Sequence, residues 1–293
     1  MDILKRIHKS NNDPTRIFIG SVRIDENEIP LWEVSDMFGL VKLIGHAKYK
    51  NQSYGSVLLR GQNQDYGSMK PAAYRDADFL EANTTVDDMI KKLKMDTGLS
   101  EDKTISKFIK ATNNLSYEAV LQHYCYNTRL LDVVDNQWVA LWFASHYRKS
   151  DKEFYSDNNS KQLLEGARYI DSPNKYSYIY LFGIPESSTQ INNSGIINDH
   201  THCLIDIRRA CPSTILRPHM QHALVIGFYD EKNQFKESYA DQLICIIRIE
   251  TKICLNLLDG DKTLTPESLF PCPAYDFMYN LILDDRKDLF NSL

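Results

Sequence analysis

Apolar and polar positions along the chain alternate between two periods, and the switches mark its elements. Arg16–Ile24 (RIFIGSVRI), Ser56–Arg60 (SVLLR) and Tyr176–Phe182 (YSYIYLF) are short and rich in β-branched and aromatic residues. Such runs predict strands. His202–Ile207, Ala223–Phe228 and Leu243–Ile249 carry the same signature. Between residues 84 and 112 the apolar positions Val86, Met89, Ile90 and Leu93, then Ile105, Phe108 and Ile109, fall three and four apart. That spacing predicts helices, broken near Gly98. Tyr117–His123 continues as helix, and Asn136 is placed to cap a second one over Gln137–His146. This last segment is apolar almost all round, which puts it in the interior, with Trp138 and Trp142 as core residues. Thr251–Leu258 and Pro273–Asp285 are expected as helices packed back on the sheet. Ser150–Ser172 and Ser187–His202 are polar and expected as loops.

Strands and helices are interleaved without repeats and without a linker. The expectation is one α+β domain over residues 1–293, with a helical elaboration at about 80–115. The formal net charge of -5 offers no footprint for general duplex binding, though a small local basic groove remains compatible with it. No apolar run approaches the length of a membrane span, and MDILKRIHKSNN lacks an apolar signal core, so the expected location is cytoplasmic. The six cysteines are scattered with no C-x-x-C pair and are expected to be reduced. His200, His202, Cys203 and Cys211 lie close in sequence but match no familiar ligand spacing, so no metal is expected.

Candidate chemistry concentrates in Leu121–Ala144, where His123, Tyr124, Thr128, Arg129 and Asp132 stand among strongly apolar residues. Polar groups so placed either form a hydrogen-bonded core network or line a site. Arg60 ends a buried strand and Gly61 follows it directly. Either the arginine snorkels from a strand edge, or the glycine lets a ligand approach while the guanidinium grips phosphate or ribose oxygens. Lys70 and Arg75 add positive charge nearby. No Gly-x-Ser-x-Gly elbow, phosphate loop or Gly-x-Gly-x-x-Gly turn occurs.

These motifs resemble the FRG domain family, named for a Phe-Arg-Gly motif that stands here as Leu59-Arg60-Gly61. Pro71 and Tyr74-Arg75 match its continuation. Leu121–Asp132 with Ala140–Ala144 matches its most specific segment, LQHYG-x-x-TRLLD followed by ALYFA. Arg217–Gln221 (Arg-x-x-x-Gln) and Leu269-Phe270-Pro271 match its later elements. Cys125 replaces the family's glycine, and Asn127 its proline. The family itself carries no established activity. The layout, however, resembles that of ADP-ribosyltransferases: a mixed or antiparallel central sheet split in two halves with helices around it. Arg60 would be the first element, Thr128-Arg129 the second and Gln221 the third.

By that resemblance the chain is an NAD-binding, ADP-ribosyltransferase-like enzyme, a toxin or anti-phage defence effector acting on protein or nucleic acid. His123, Tyr124 and Gln221 would be catalytic. Arg60, Gly61, Gln62, Thr128, Arg129 and Asp132 would hold NAD, Asp132 by orienting Arg129 or His123. Glu118 would face the site, and a neutralising partner protein would restrain the enzyme. The alternatives are a non-catalytic nucleotide sensor and an RNA-end phosphotransferase.

Overall fold

The computed structural model describes residues 3–8, 13–75, 79–97, 103–124, 126–149, 168–187, 190–191, 195–259, 262, 264–272 and 274–279. Twelve strands are found among them, ten of which form one mixed sheet. These ten are β1 (Arg16–Ile24), β2 (Asn27–Val34), β3 (Gly55–Gln62), β4 (Leu131–Val134), β7 (Tyr176–Pro185), β8 (Gln190–Ile191), β9 (Ile196–Asn198), β10 (His202–Asp206), β11 (Ala223–Phe228) and β12 (Leu243–Glu250). They lie in the order β1-β2-β12-β7-β3-β4-β11-β10-β9-β8. Only the β2–β12 contact is parallel; the others are antiparallel. A separate hairpin joins β5 (His146–Lys149) to β6 (Arg168–Asp171).

The sheet is continuous, but it narrows in the middle. β3 pairs with β7 over eight registered positions and with β4 at one, Leu59 opposite Val134. Its residues divide in the expected period-two manner. Leu58, Tyr180, Phe182, Leu131, Val133, Leu224 and Ile226 share one cluster that crosses the seam. The opposite face has two clusters. Val57, Leu59, Ile179, Leu181 and Ile247 belong to one, under the helices α1 (Met37–Lys50) and α5 (Gln137–Ser145). Ala223, Val225 and Ile205 belong to the other, with residues of α2 (Phe79–Thr97), α3 (Lys103–Ala111) and α4 (Asn114–Gln122). The expected division into halves is therefore a division of the packing on one face, while hydrogen bonds still run across.

Helix α5 fixes the middle of the sheet. Asn136 caps it, its side chain accepting from the backbone N–H of Trp138 and Val139. A Cβ built on Gly61 would stand 2.0 Å from the Ala140 carbonyl oxygen and 2.8 Å from the Ala144 nitrogen. On its Cβ side the close approach at Gly61 is made by α5. Trp142 is fully buried as expected, whereas Trp138, 37% exposed, sits in the first turn and is not core.

The predicted helical region at 84–112 is α2 and α3, and Thr251–Leu257 is helical. The loop expected at residues 187–202 contains β8 and β9, and the polar stretch ending at Ser172 contains β6. Residues 150–167 lie outside the described residues, as do 273 and 280–285 of the helix expected at Pro273–Asp285. Among the described residues no helix is long and apolar enough to cross a membrane.

Candidate functional site

The seam between β3 and β4 opens into a cavity of about 260 Å³. Past the single pair at Leu59 and Val134 the two strands no longer bond each other. The Arg60 side chain crosses the gap instead, its Nη1 donating to the Asp132 carbonyl at 2.8 Å. The same Nη1 stands 3.9 Å from the Asp132 carboxylate, while Nε is buried without a partner. Burial lowers the Arg60 pKa, with Asp132 opposing that shift.

Across the cavity, α4 ends at Gln122 and the chain turns through His123. His123 lies between two partners, with Nδ1 3.1 Å from Gln221 Oε1 and Nε2 3.4 Å from Asp132 Oδ1. The orientation of the Gln221 amide decides the tautomer. Its Nε2 donates to the Leu269 carbonyl at 2.8 Å, so its oxygen faces the imidazole and Nδ1 must carry the hydrogen. The Nε2 lone pair then points toward Asp132. Burial lowers the His123 pKa most, the Arg217 charge adds to this, and Asp132 and Gln221 oppose it. A ring whose pKa is lowered by burial, with Nδ1 fixed as donor and Nε2 facing a carboxylate without a hydrogen bond, has the form of a general base with its orienting group.

Asp132 is oriented in turn. Gln122 Nε2 donates to its Oδ2 at 3.0 Å, and the Thr128 hydroxyl donates to Gln122 Oε1. The polar residues of the central motif thus work in layers, Thr128 on Gln122, Gln122 on Asp132, Asp132 beside Arg60 and His123. Phe143, Tyr169 and Phe270 supply an apolar wall, the last two stacked at 4.4 Å between centroids.

A wider cavity of about 720 Å³ adjoins the first and shares Arg60, Gly61, Phe143 and Tyr169 with it. Gln62, Lys70, Arg75 and Arg148 line it, and among the described residues no acidic side chain does, although Glu237 bridges to Lys70 at 3.3 Å. In a chain of net charge -5 this is a local reversal of sign. It is the kind of surface that concentrates anions.

Of the residues singled out from sequence, the structure brings Arg60, Gly61, His123, Asp132 and Gln221 to the inner cavity, and Gln62 to the outer one. Three others it places elsewhere. Tyr124 is buried, its hydroxyl donating to both carboxylate oxygens of Asp276 at 2.8 and 2.9 Å. Burial, and then the Asp276 charge, push that phenol well above its ordinary pKa. Thr128 is fully buried and reaches the site only through Gln122. Arg129 forks onto Glu118 at 3.1 and 2.6 Å, meets Asp87 at 3.0 Å and covers the ring of Phe235. Glu118, fully buried, is thereby a partner of Arg129 and not a site carboxylate, and Asp132 does not pair with Arg129. Neighbours in sequence thus take different partners: His123 lines the cavity, while Tyr124 bonds Asp276 and Arg129 bonds Glu118.

Gln122, Arg217, Phe143, Tyr169 and Phe270 also line the inner cavity without having been assigned roles from sequence. Arg217 and Phe270 belong to motifs that were visible. Tyr169 comes from a polar stretch that gave no signal. Among the described residues no group of three or more His, Cys, Asp or Glu side chains is arranged to hold a metal ion.

Fold and site together define an α+β protein with a polar cleft at the seam of a mixed sheet. Residues 55–153 match the FRG domain family, a span that contains Arg60, Gly61, His123 and Asp132. Gln221, Arg217 and Phe270 lie beyond it and form the opposite wall. No curated protein and no solved structure matches the chain.

Proposed function

We propose that the two joined cavities bind a phosphorylated nucleotide of the NAD type and that the inner one transfers its ADP-ribosyl group. The observation that carries this reading is the sharing of Arg60 between an inner cavity holding a His-Asp-Gln constellation and an outer one rich in cations. Arg60, Lys70 and Arg75 take the phosphates as charged donors. The aromatic wall takes an apolar ring face.

Cleavage breaks the bond between the ribose and nicotinamide, whose electron pair leaves with nicotinamide. Positive charge builds on the ribose and is met by the Asp132 carboxylate, already fixed by Gln122 and so needing no reorganisation. An acceptor hydroxyl forms the new bond and gives its proton to His123 Nε2. Gln221 keeps Nδ1 protonated throughout. Support for an ADP-ribosyltransferase-like layout comes from Arg60, on a central strand, lining the same cavity as Gln221; Thr128 and Arg129 act in it as supports. Incubation with NAD, read by chromatography of released nicotinamide, tests this. Wild type is expected to release nicotinamide and His123→Asn to be slower by about 10²–10⁴-fold, the usual worth of a general base. Binding without release by either protein would favour a nucleotide sensor.

A further inference from the structure

Arg217 is a buried cation whose charge has no carboxylate partner among the described residues. It is 4% exposed and lines the inner cavity. Its Nη1 donates to the His123 carbonyl at 2.7 Å, and its Nε is buried without a partner. The Asp276 carboxylate accepts from the backbone N–H of Arg217 and from the Tyr124 hydroxyl. What surrounds the guanidinium is aromatic: Tyr279 at 4.3 Å, Tyr124 at 5.0 Å and Phe270 at 5.3 Å from the ring centroids. Such faces hold a cation in place without neutralising it. An uncompensated buried charge is among the costliest features a fold can keep. Arg60 lines the same cavity and shares one feature with Arg217, a buried Nε without a partner. Among the described residues Asp132 is the one acid lining this cavity, and its carboxylate stands 3.9 Å from Arg60 Nη1.

We propose that the inner cavity contains a phosphate subsite, in which Arg217 and Arg60 grip one phosphate group beside His123. Two guanidinium forks meeting one tetrahedral oxyanion would satisfy the donors left open and neutralise Arg217 at once. The subsite shares its cavity with the nucleotide reading but does not require NAD. The phosphate comes either from the nucleotide itself or from a second, phosphorylated substrate.

The test uses inorganic phosphate and the whole chain. Phosphate is expected to raise the thermal unfolding midpoint saturably over chloride at equal ionic strength. In Arg217→Met the phosphate affinity is expected to fall by about 10- to 100-fold, the loss of one charged hydrogen bond. Should that variant not fold, titration of the wild type followed at the His123 side-chain ¹⁵N resonances gives the same answer, with a saturable shift at Nε2. Competition between phosphate and NAD assigns the subsite to the nucleotide's own phosphate; simultaneous binding assigns it to a second substrate. Absence of a saturable phosphate effect in the wild type, or an equal effect in Arg217→Met, overturns the proposal. Either result stands independently of whether NAD is cleaved.

Discussion

At the scale of single residues, the site is built by fixing proton positions. Leu269 holds the Gln221 amide, Gln221 fixes Nδ1–H of His123, and Nε2 is left as the basic atom. His123, His202 and His46 all have pKa values lowered from 6.5, in each case by burial first. The sign of the resulting pH dependence follows. Below about 6.5 the unfolded chain takes up protons that the folded chain does not, so stability is complete above that pH and is lost as pH falls. Chemical denaturation at pH 7.5 and 5.5 is expected to show a lower midpoint at 5.5, and His123→Gln a smaller difference between the two. Gly61→Ala makes a second prediction. The added methyl must displace α5, and overpacking of this kind costs about 1–3 kcal/mol, measurable by equilibrium unfolding. Arg60 and His123 were legible in sequence because charged or polar groups among apolar neighbours require partners, and Gln221 only through the resemblance of Arg217–Gln221 to a family motif. The directions of Tyr124, Thr128 and Arg129 were not, because they depend on how the chain turns after α4.

At the scale of elements, the strongest sequence signals correspond to elements with one dominant face. Ala223–Phe228 is a strand throughout, and α5 begins after its predicted Asn136 cap. Asn136→Ala is expected to lower stability by about 1 kcal/mol by removing that cap, read from the denaturation midpoint. The elements that went unread are mixed in pattern. β2 contains Pro30, which argues against a central strand, yet β12 joins it only from Leu31 onward, so the missing N–H is tolerated. α1 carries Leu40, Leu43, Ile44 and Ala47 at helical spacing, preceded by Gly39, whose Cβ would stand 2.0 Å from the Thr15 carbonyl oxygen. β4 is four residues long and hidden between two helical segments. Its brevity leaves the seam open. The ion pair beneath α4 is equally an element-level device. Arg129→Met alone is expected to cost about 3–5 kcal/mol by stranding Glu118, and Glu118→Leu added to it to recover part of that loss in thermal unfolding.

At the scale of the whole molecule, the chain places its cleft where two packing units meet on one side of a continuous sheet. The segment matching the FRG domain supplies the strand arginine, the histidine and the aspartate. The later part of the chain closes the cleft with Arg217, Gln221 and Phe270. No local pattern reports that meeting, since the two walls are separated by about ninety residues of sequence; Gln221 contacts His123 across a separation of 98. Division of labour between the walls makes the site a property of the complete fold. The central claim is that a nucleotide spans both cavities across Arg60. Calorimetric titration of NAD into wild type and Arg60→Gln tests it most directly. The account predicts saturable binding to wild type and none to Arg60→Gln, whose far-ultraviolet spectrum remains that of the wild type. Equal binding to the two proteins, or none to the wild type, would contradict it.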